Sequence, residues 1–271
     1  MSSRSFKFEK HCCICSRSLT FAVPVRLTIL GSGSSGNCAY LETDQVRILI
    51  DAGLSLRQIR KRLATIGRTP ESLNAVLITH EHSDHIQGLK GLAQKLGLPI
   101  YCNRPTQEAL EFQVQGKIDC RLFITRNSFE LGDLTIETFE VLHDAQDPVG
   151  FLVRAEGVNI GVLTDLGQVT KLVLDRLRQA NVLLLESNHD IKMLQDCPHR
   201  PWSLKQRILS RHGHLSNEAA ADTVENLMSP DLRHLYLGHL SRECNRPELA
   251  ARVMNDRLQK LGANHVQLEV A

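Results

Sequence analysis

Six consecutive positions, His80-Glu81-His82-Ser83-Asp84-His85, carry four side chains that bind metals well. They follow an apolar run, residues 75–79, that reads as a buried strand, and they lead into a helix-like segment from Ile86. Where a chain leaves a strand still extended, alternate side chains point the same way, so His80 and His82 converge on one point. The tighter turn into the helix then swings Asp84 and His85 toward a second point nearby. Two adjacent points of this kind are what a pair of cations requires. Imidazole combined with carboxylate suits zinc, manganese or iron rather than calcium.

Such a centre needs further donors from elsewhere, and the elements that would position them can be read along the chain. Residues 135–142 alternate as a strand that ends at His143. Residues 149–154 and 158–164 read as a strand pair turning at Glu156-Gly157, the second ending at Asp165. Residues 182–185 form an apolar strand ending at Glu186, and residues 232–237 another that ends at Gly238-His239. Side chains projecting from strand ends on one rim are the usual way to assemble a site from distant sequence. Between these strands lie helical patterns at 54–66, 89–96, 105–112, 169–179, 203–210 and 217–228. The first shows Leu56, Ile59, Leu63 and Ile66 on one face. Pattern alone therefore gives an α/β or α+β chain.

The segment Gly31-x-Gly33-x-x-Gly36 follows a strand, as in a dinucleotide-binding fingerprint. That motif needs a crossover helix next, and the strand resuming at Val46 leaves no room for one. A hairpin is expected instead, with no nucleotide cofactor. Asp51, at the end of residues 46–50, reads equally well as a carboxylate that orients a ligand histidine or as a helix cap.

Composition bounds the setting. A chain of 271 residues with 42% hydrophobic content supports one sizeable core, and a net charge of +2 excludes a strongly basic nucleic-acid coat, so any such contact is local. Eight cysteines, with one C-x-x-C spacing (Cys12 and Cys15) and no second one to complete a zinc site, suit a reducing cytoplasm. Residues 1–24 read as a poorly ordered or weakly docked leader, despite the cluster His11, Cys12, Cys13 and Cys15, and residues 25–271 as a single domain. No apolar run is long enough to span a membrane. The pattern carries no signal for oligomeric state.

The run Thr79-His-x-His-x-Asp-His85 resembles the signature of metallo-β-lactamase-fold hydrolases. The resemblance implies a four-layer αββα sandwich of two mixed sheets with outer helices. It implies two divalent metal ions, zinc or manganese with iron also suitable. His80, His82 and His143 would hold the first, Asp84, His85 and His239 the second, and Asp165 would bridge them. Such a pair shares a hydroxide nucleophile at neutral pH. His214-Leu-Ser216 resembles the His-x-Thr/Ser segment of ribonuclease Z, where the histidine contacts the scissile phosphate and protonates the leaving oxygen. Asp84, Asp165 and His214 are thus the expected catalytic residues.

Together with Gly31–Asn37, His143-Asp-x-x-Asp-Pro148, Glu186-Ser-Asn-His-Asp190 and Gly238-His239-Leu-Ser241, these motifs look closest to the YycJ/WalJ branch. That branch implies a cytoplasmic 5′ to 3′ DNA exonuclease. Ser35, Asn37, His189, His214 and Ser216 are then expected at the substrate. The basic run Arg200, Lys205, Arg207 and Arg211 around Trp202 suits phosphate contacts and base stacking, or else an ordinary basic helix with a core-packed tryptophan. Rival readings are a thioester hydrolase of the glyoxalase II kind, a phosphodiesterase for RNA or cyclic phosphates, and a non-catalytic binding module. About seventy residues between Asp165 and His239 are too few for the inserted domain of ribonuclease J relatives.

Overall fold

The computed structural model describes residues 25–271 and the backbone of residues 4–7. The expectation of a weakly docked leader, with its His11, Cys12, Cys13 and Cys15, lies outside the described residues. Arg4–Lys7 are the exception and pair in antiparallel register with the next strand.

One sheet holds β1 (Arg4–Lys7), β2 (Arg26–Gly31), β3 (Cys38–Glu42), β4 (Arg47–Ile50), β5 (Ala75–Leu77), β6 (Ile100–Cys102) and β7 (Cys120–Leu122), in that order. The other holds β8 (Ser128–Leu131), β9 (Leu134–Glu140), β10 (Val149–Ala155), β11 (Val158–Leu163), β12 (Val182–Glu186), β13 (His234–Gly238) and β14 (Gln267–Val270), again in sequence order. Both sheets obey one plan. The first four strands pair antiparallel and the last three add in parallel. In each, the change from antiparallel to parallel falls after the fourth strand, β4 in one half and β11 in the other.

The layers follow from period-two alternation. In β4, Ile48 and Ile50 join the apolar layer between the sheets, while Leu49 faces a separate layer under the first helices. In β12, Val182 and Leu184 face the other sheet, and Leu183 and Leu185 face helices. The helices are α1 (Leu56–Ala64), α2 (Ser83–Ile86), α3 (Leu89–Leu96), α4 (Arg104–Gln113), α5 (Lys171–Leu177), α6 (Ile191–Asp196), α7 (Trp202–Ile208), α8 (Asn217–Leu227) and α9 (Pro247–Lys260). Ile59 and Leu63 of α1 and Leu89 and Leu92 of α3 cover the first sheet. Val173 and Leu177 of α5, Val224 of α8 and Met254 of α9 cover the second. Full burial of each such side chain contributes about 1.5–3 kcal/mol. The result is the expected αββα sandwich.

The glycine segment closes the antiparallel pair β2–β3, a hairpin as expected. Glu156 and Gly157 turn β10 into β11 with positive φ at both residues, as a two-residue type I′ turn demands. Among the described residues no helix is long and apolar enough to cross a membrane.

Candidate metal centre

Strand β5 delivers Ile78 and Thr79 to the rim, and the chain then stays extended through His82 before α2 begins. Three backbone bonds fix where that loop sits. Asp84 O accepts from Asn37 N at 2.7 Å, His85 O from Ala52 N at 2.7 Å, and Ala52 O from Gly88 N at 2.7 Å. Gly53 makes this seam possible, because a Cβ there would stand 1.6 Å from Asp84 O. Val149 N donates to Thr79 O at 3.1 Å and so ties the loop to the second sheet.

Around this loop the structure gathers all seven side chains expected as metal ligands. The donor atoms of His80, His82 and His143 lie within 4.8 Å of one another, as do those of Asp84, His85 and His239. Asp165 stands between the groups, with Oδ2 3.0 Å from His85 Nε2 and Oδ1 3.8 Å from His143 Nε2. Asp51, Asp165 and His239 end strands β4, β11 and β13 in the left-handed region, at φ 60°, 57° and 54°. Non-glycine residues rarely sit there, and asparagine, aspartate and histidine are the side chains that tolerate it best. Asp51 and Asp165 occupy equivalent places in the two halves, just past the fourth strand of each sheet.

Asp51 is 3% exposed and faces away from solvent. Its Oδ2 lies 2.7 Å from His85 Nδ1, and its Oδ1 accepts from Thr79 N at 2.9 Å. Of its two sequence readings the geometry selects the carboxylate that orients a histidine, since α1 is capped by Ser55.

Glu186 carries out the same task on the opposite side, and the sequence reading had not assigned it to the site. It is wholly buried. Oε1 lies 2.6 Å from His239 Nδ1 and 2.8 Å from His214 Nδ1, while Oε2 accepts from Leu166 N at 3.1 Å and Leu215 N at 3.0 Å. The signal available was positional: like Asp165, Glu186 closes an apolar strand.

The donor chemistry fits divalent cations. His80 Nε2 is buried with no hydrogen-bond partner among the described residues. The rings of His80, His82 and His143 crowd together with centroids 4.6–5.1 Å apart. Burial pushes the His80 pKa well below its usual value. Burial also works against charge on His239, yet Asp165, Asp84 and Glu186 outweigh it and lift its pKa to about 10. Burial opposes charge on His85 as well, and Asp165 and Asp51 raise its pKa well above normal. A cation held here would compete with protons for the His85 and His239 rings.

The expected substrate contacts divide. His214 is partly exposed on a small cavity beside the centre. Ser35 is exposed at the tip of the glycine loop, whereas Ser32 Oγ accepts from His239 N at 2.6 Å and Ser34 lines the cavity. Asn37 is buried; its Oδ1 accepts from Gly33 N at 2.8 Å and its Nδ2 lies 3.0 Å from His85 Nε2 and 3.3 Å from Asp84 Oδ2. That places it behind the ligands instead of at an open surface. Ser216 caps α8, accepting from Ala219 N at 3.1 Å. His189 is 1% exposed, and neither ring nitrogen has a hydrogen-bond partner among the described residues. Lys205 is buried with Nζ on Gln195 O at 2.6 Å, so it is not available to phosphate. Trp202 is 62% exposed, which removes the core-packed reading.

Residues 46–240 match the family described as Beta-lactamase superfamily domain. The chain is 43% identical over 237 residues to exodeoxyribonuclease WalJ of Streptococcus pneumoniae serotype 2 (strain D39 / NCTC 7466), covering 86% of this chain and 88% of that protein. It is 36% identical over 241 residues to exodeoxyribonuclease YycJ of Bacillus anthracis, covering 88% and 90% respectively. The solved metallo-beta-lactamase fold protein YhfI from Bacillus subtilis superposes with a TM-score of 0.63 at 18% identity, over 92% of this chain and 96% of that one. At that identity the likeness concerns the fold.

Proposed function

The chain belongs to the beta-lactamase superfamily, and on that premise we propose that it is a binuclear metal-dependent phosphodiesterase, a 5′ to 3′ DNA exonuclease of the cytoplasm. The relatives named exodeoxyribonuclease support the substrate class. The single structural observation that carries the reading is His214, held by Glu186 at the mouth of the donor cluster.

His80, His82 and His143 would hold one cation and Asp84, His85 and His239 the other, with Asp165 between them. Zinc or manganese suits these ligands. Such ions, when bound, lower the pKa of water and draw charge from a phosphoryl oxygen. The remaining steps belong to the chain. Glu186 Oε1 accepts a hydrogen bond from His214 Nδ1–H, which fixes the ring and leaves Nε2 for the substrate. Burial disfavours the charged ring, but Glu186 outweighs it and raises the His214 pKa. Water oxygen joins phosphorus as one of its protons passes to solvent, the P–O3′ bond breaks, and the leaving O3′ takes the proton from His214 Nε2. Water then restores that proton. The shortened strand keeps a 5′-phosphate and is ready for the next cycle.

The test is incubation of purified protein with end-labelled DNA, RNA and a thioester in Mn²⁺ or Zn²⁺. Nucleotides released from 5′ DNA ends are expected, and thioester turnover without phosphodiester cleavage would eliminate the nuclease reading. His214→Ala should slow the chemical step by about 10²–10⁴-fold with metals still bound. Loss of metal from that variant would show that His214 is a ligand and not an acid.

A further inference from the structure

Helices α1 and α3 cover the first sheet side by side, and their outer faces carry charge of one sign. Strands β4, β5 and β6 pair in parallel, so the crossover helices between them also run parallel and both start at the rim that holds the donors. The two helices touch where Gly91 meets Leu56, since a Cβ at Gly91 would stand 2.9 Å from Leu56 Cβ. Neither helix contains an aspartate or glutamate; α1 holds Arg57, Arg60, Lys61 and Arg62, and α3 holds Lys90 and Lys95. Two of these cations are already engaged. Arg60 pairs with Glu71, and Arg62 donates to Leu30 O. Arg57, Lys61, Lys90 and Lys95 are exposed, and none of them makes a hydrogen bond or ion pair among the described residues. The helices on the second sheet differ: α8 carries Glu218, Asp222 and Glu225, and the last two hold Arg257 of α9. Four unpaired cations on adjoining helices create a local positive field suited to a polyanion. Arg57 and Lys61 lie one turn apart, about 6 Å along the axis, and Lys95 follows Gly91 by the same interval, on the side of α3 that faces α1. Beyond α3 the charge changes, with Glu108 and Glu111 on α4. Toward the rim the basic face is continuous with the donor cluster. Gly53 N, at the entry to α1, donates to Asn37 O at 2.8 Å, and a Cβ at Gly36 would stand 2.8 Å from Leu54 Cδ2. Ser34 of that same glycine loop lines the cavity beside His214. A strand that leaves the centre over this loop meets α1 next.

We infer that the outer face of α1 and α3 binds the phosphate backbone of the uncut DNA, away from the reacting bond, through Arg57, Lys61, Lys90 and Lys95. The inference rests on the nuclease reading above and adds the path that the rest of the substrate takes across the protein. Contacts of this kind fix the position of the DNA and are indifferent to its base sequence.

The test measures binding of the metal-loaded full chain to labelled duplexes whose phosphorothioate linkages resist cleavage, over a range of salt. Each phosphate contact contributes about 0.9 to the slope of log affinity against log salt. Arg57→Gln combined with Lys61→Gln should therefore lower that slope by about 1.8, equally on two duplexes of unrelated sequence. The same variant should keep the wild-type kcat/KM for bis(p-nitrophenyl) phosphate, which is too small to reach α1 from the metal centre. Arg57→Lys combined with Lys61→Arg should retain the wild-type slope. Arg252→Gln, which removes an exposed cation from α9 over the other sheet, should leave it unchanged. A wild-type slope in the double glutamine variant would overturn the inference, and so would an equal fall in Arg252→Gln, which would report net charge alone. Loss of binding to phosphatidylglycerol vesicles with duplex binding intact would assign this face to an anionic membrane surface and overturn it too. If the wild type hydrolyses neither DNA nor bis(p-nitrophenyl) phosphate, the nuclease reading fails, yet the same slopes still decide whether this face holds DNA.

Discussion

Replacing Glu186 by glutamine changes one atom and should damage both metal binding and folding. Four donors converge on this carboxylate, two imidazole nitrogens at Oε1 and two backbone N–H groups at Oε2, and none of it reaches solvent. Burial alone would raise its pKa, yet His214 and His239 hold it at about 2, so the native group is an acceptor on every side. A glutamine has only one acceptor oxygen. If its NH₂ faces Leu166 and Leu215, two buried N–H groups lose their partner at about 1–3 kcal/mol each, or about 2–6 kcal/mol together. If it faces the rings, both histidines must move their proton to Nε2. In His239 that nitrogen points at Asp84, 3.4 Å away, and would lose the lone pair a cation needs. Removing the carboxylate behind a ligand histidine costs about 10–100-fold in metal affinity, or about 1.4–2.7 kcal/mol. Two measurements decide the matter: zinc affinity by chelator competition, and urea unfolding of the metal-free protein. A variant that matches the wild type in both midpoint and affinity would refute the claim that Glu186 organises this side of the centre.

Two further outcomes follow from the packing. Gly53→Ala would push a Cβ into the Asp84 carbonyl and within 2.6 Å of Asn37 N, both backbone atoms, so the loop must move and metal affinity should fall with a stability loss of about 1–3 kcal/mol. Gly67→Ala, whose Cβ meets nothing within 4 Å but adopts φ 70°, should cost about 1 kcal/mol and leave metal affinity alone; equal effects of the two on metal affinity would sink the seam argument. Burial lowers the His189 pKa to about 4, so the folded state resists a proton that the unfolded chain takes up below about 6.5. Stability should then fall as pH drops from about 6.5 toward 4, by up to about 3 kcal/mol from this group. His189→Leu should flatten that slope in denaturant titrations, and an unchanged slope would refute it.

The seven expected donors were legible because His80, His143, Asp165 and His239 lie just past apolar strands, His82, Asp84 and His85 follow His80 in one loop, and strand ends on one rim must meet. The side chains behind them were harder to read. Asp51 was undecided between two roles because sequence does not say which way a carboxylate faces, and the pairing of β4 with β5 is what turns it toward His85. Glu186 closes its strand as Asp165 does, but serves four donors brought from α8's approach, β13 and the turn after β11. Only tertiary packing brings those together. The same blindness to direction explains Asn37, Ser216 and Lys205, whose polar groups face inward. Short or weakly patterned strands such as β7 and β14 offered too few residues to show a period, and the matching plan of the two sheets resides in pairing, which no local pattern reports.

Each sheet is built from one continuous half of the chain, and neither half holds a working set of ligands. His80, His82, Asp84 and His85 belong to the first, and His143, Asp165 and His239 to the second. A chain made only through β7 therefore lacks three of the seven expected donors, His143, Asp165 and His239. The full donor set comes together only when the second sheet packs against the first, so metal affinity should report the docking of the two halves.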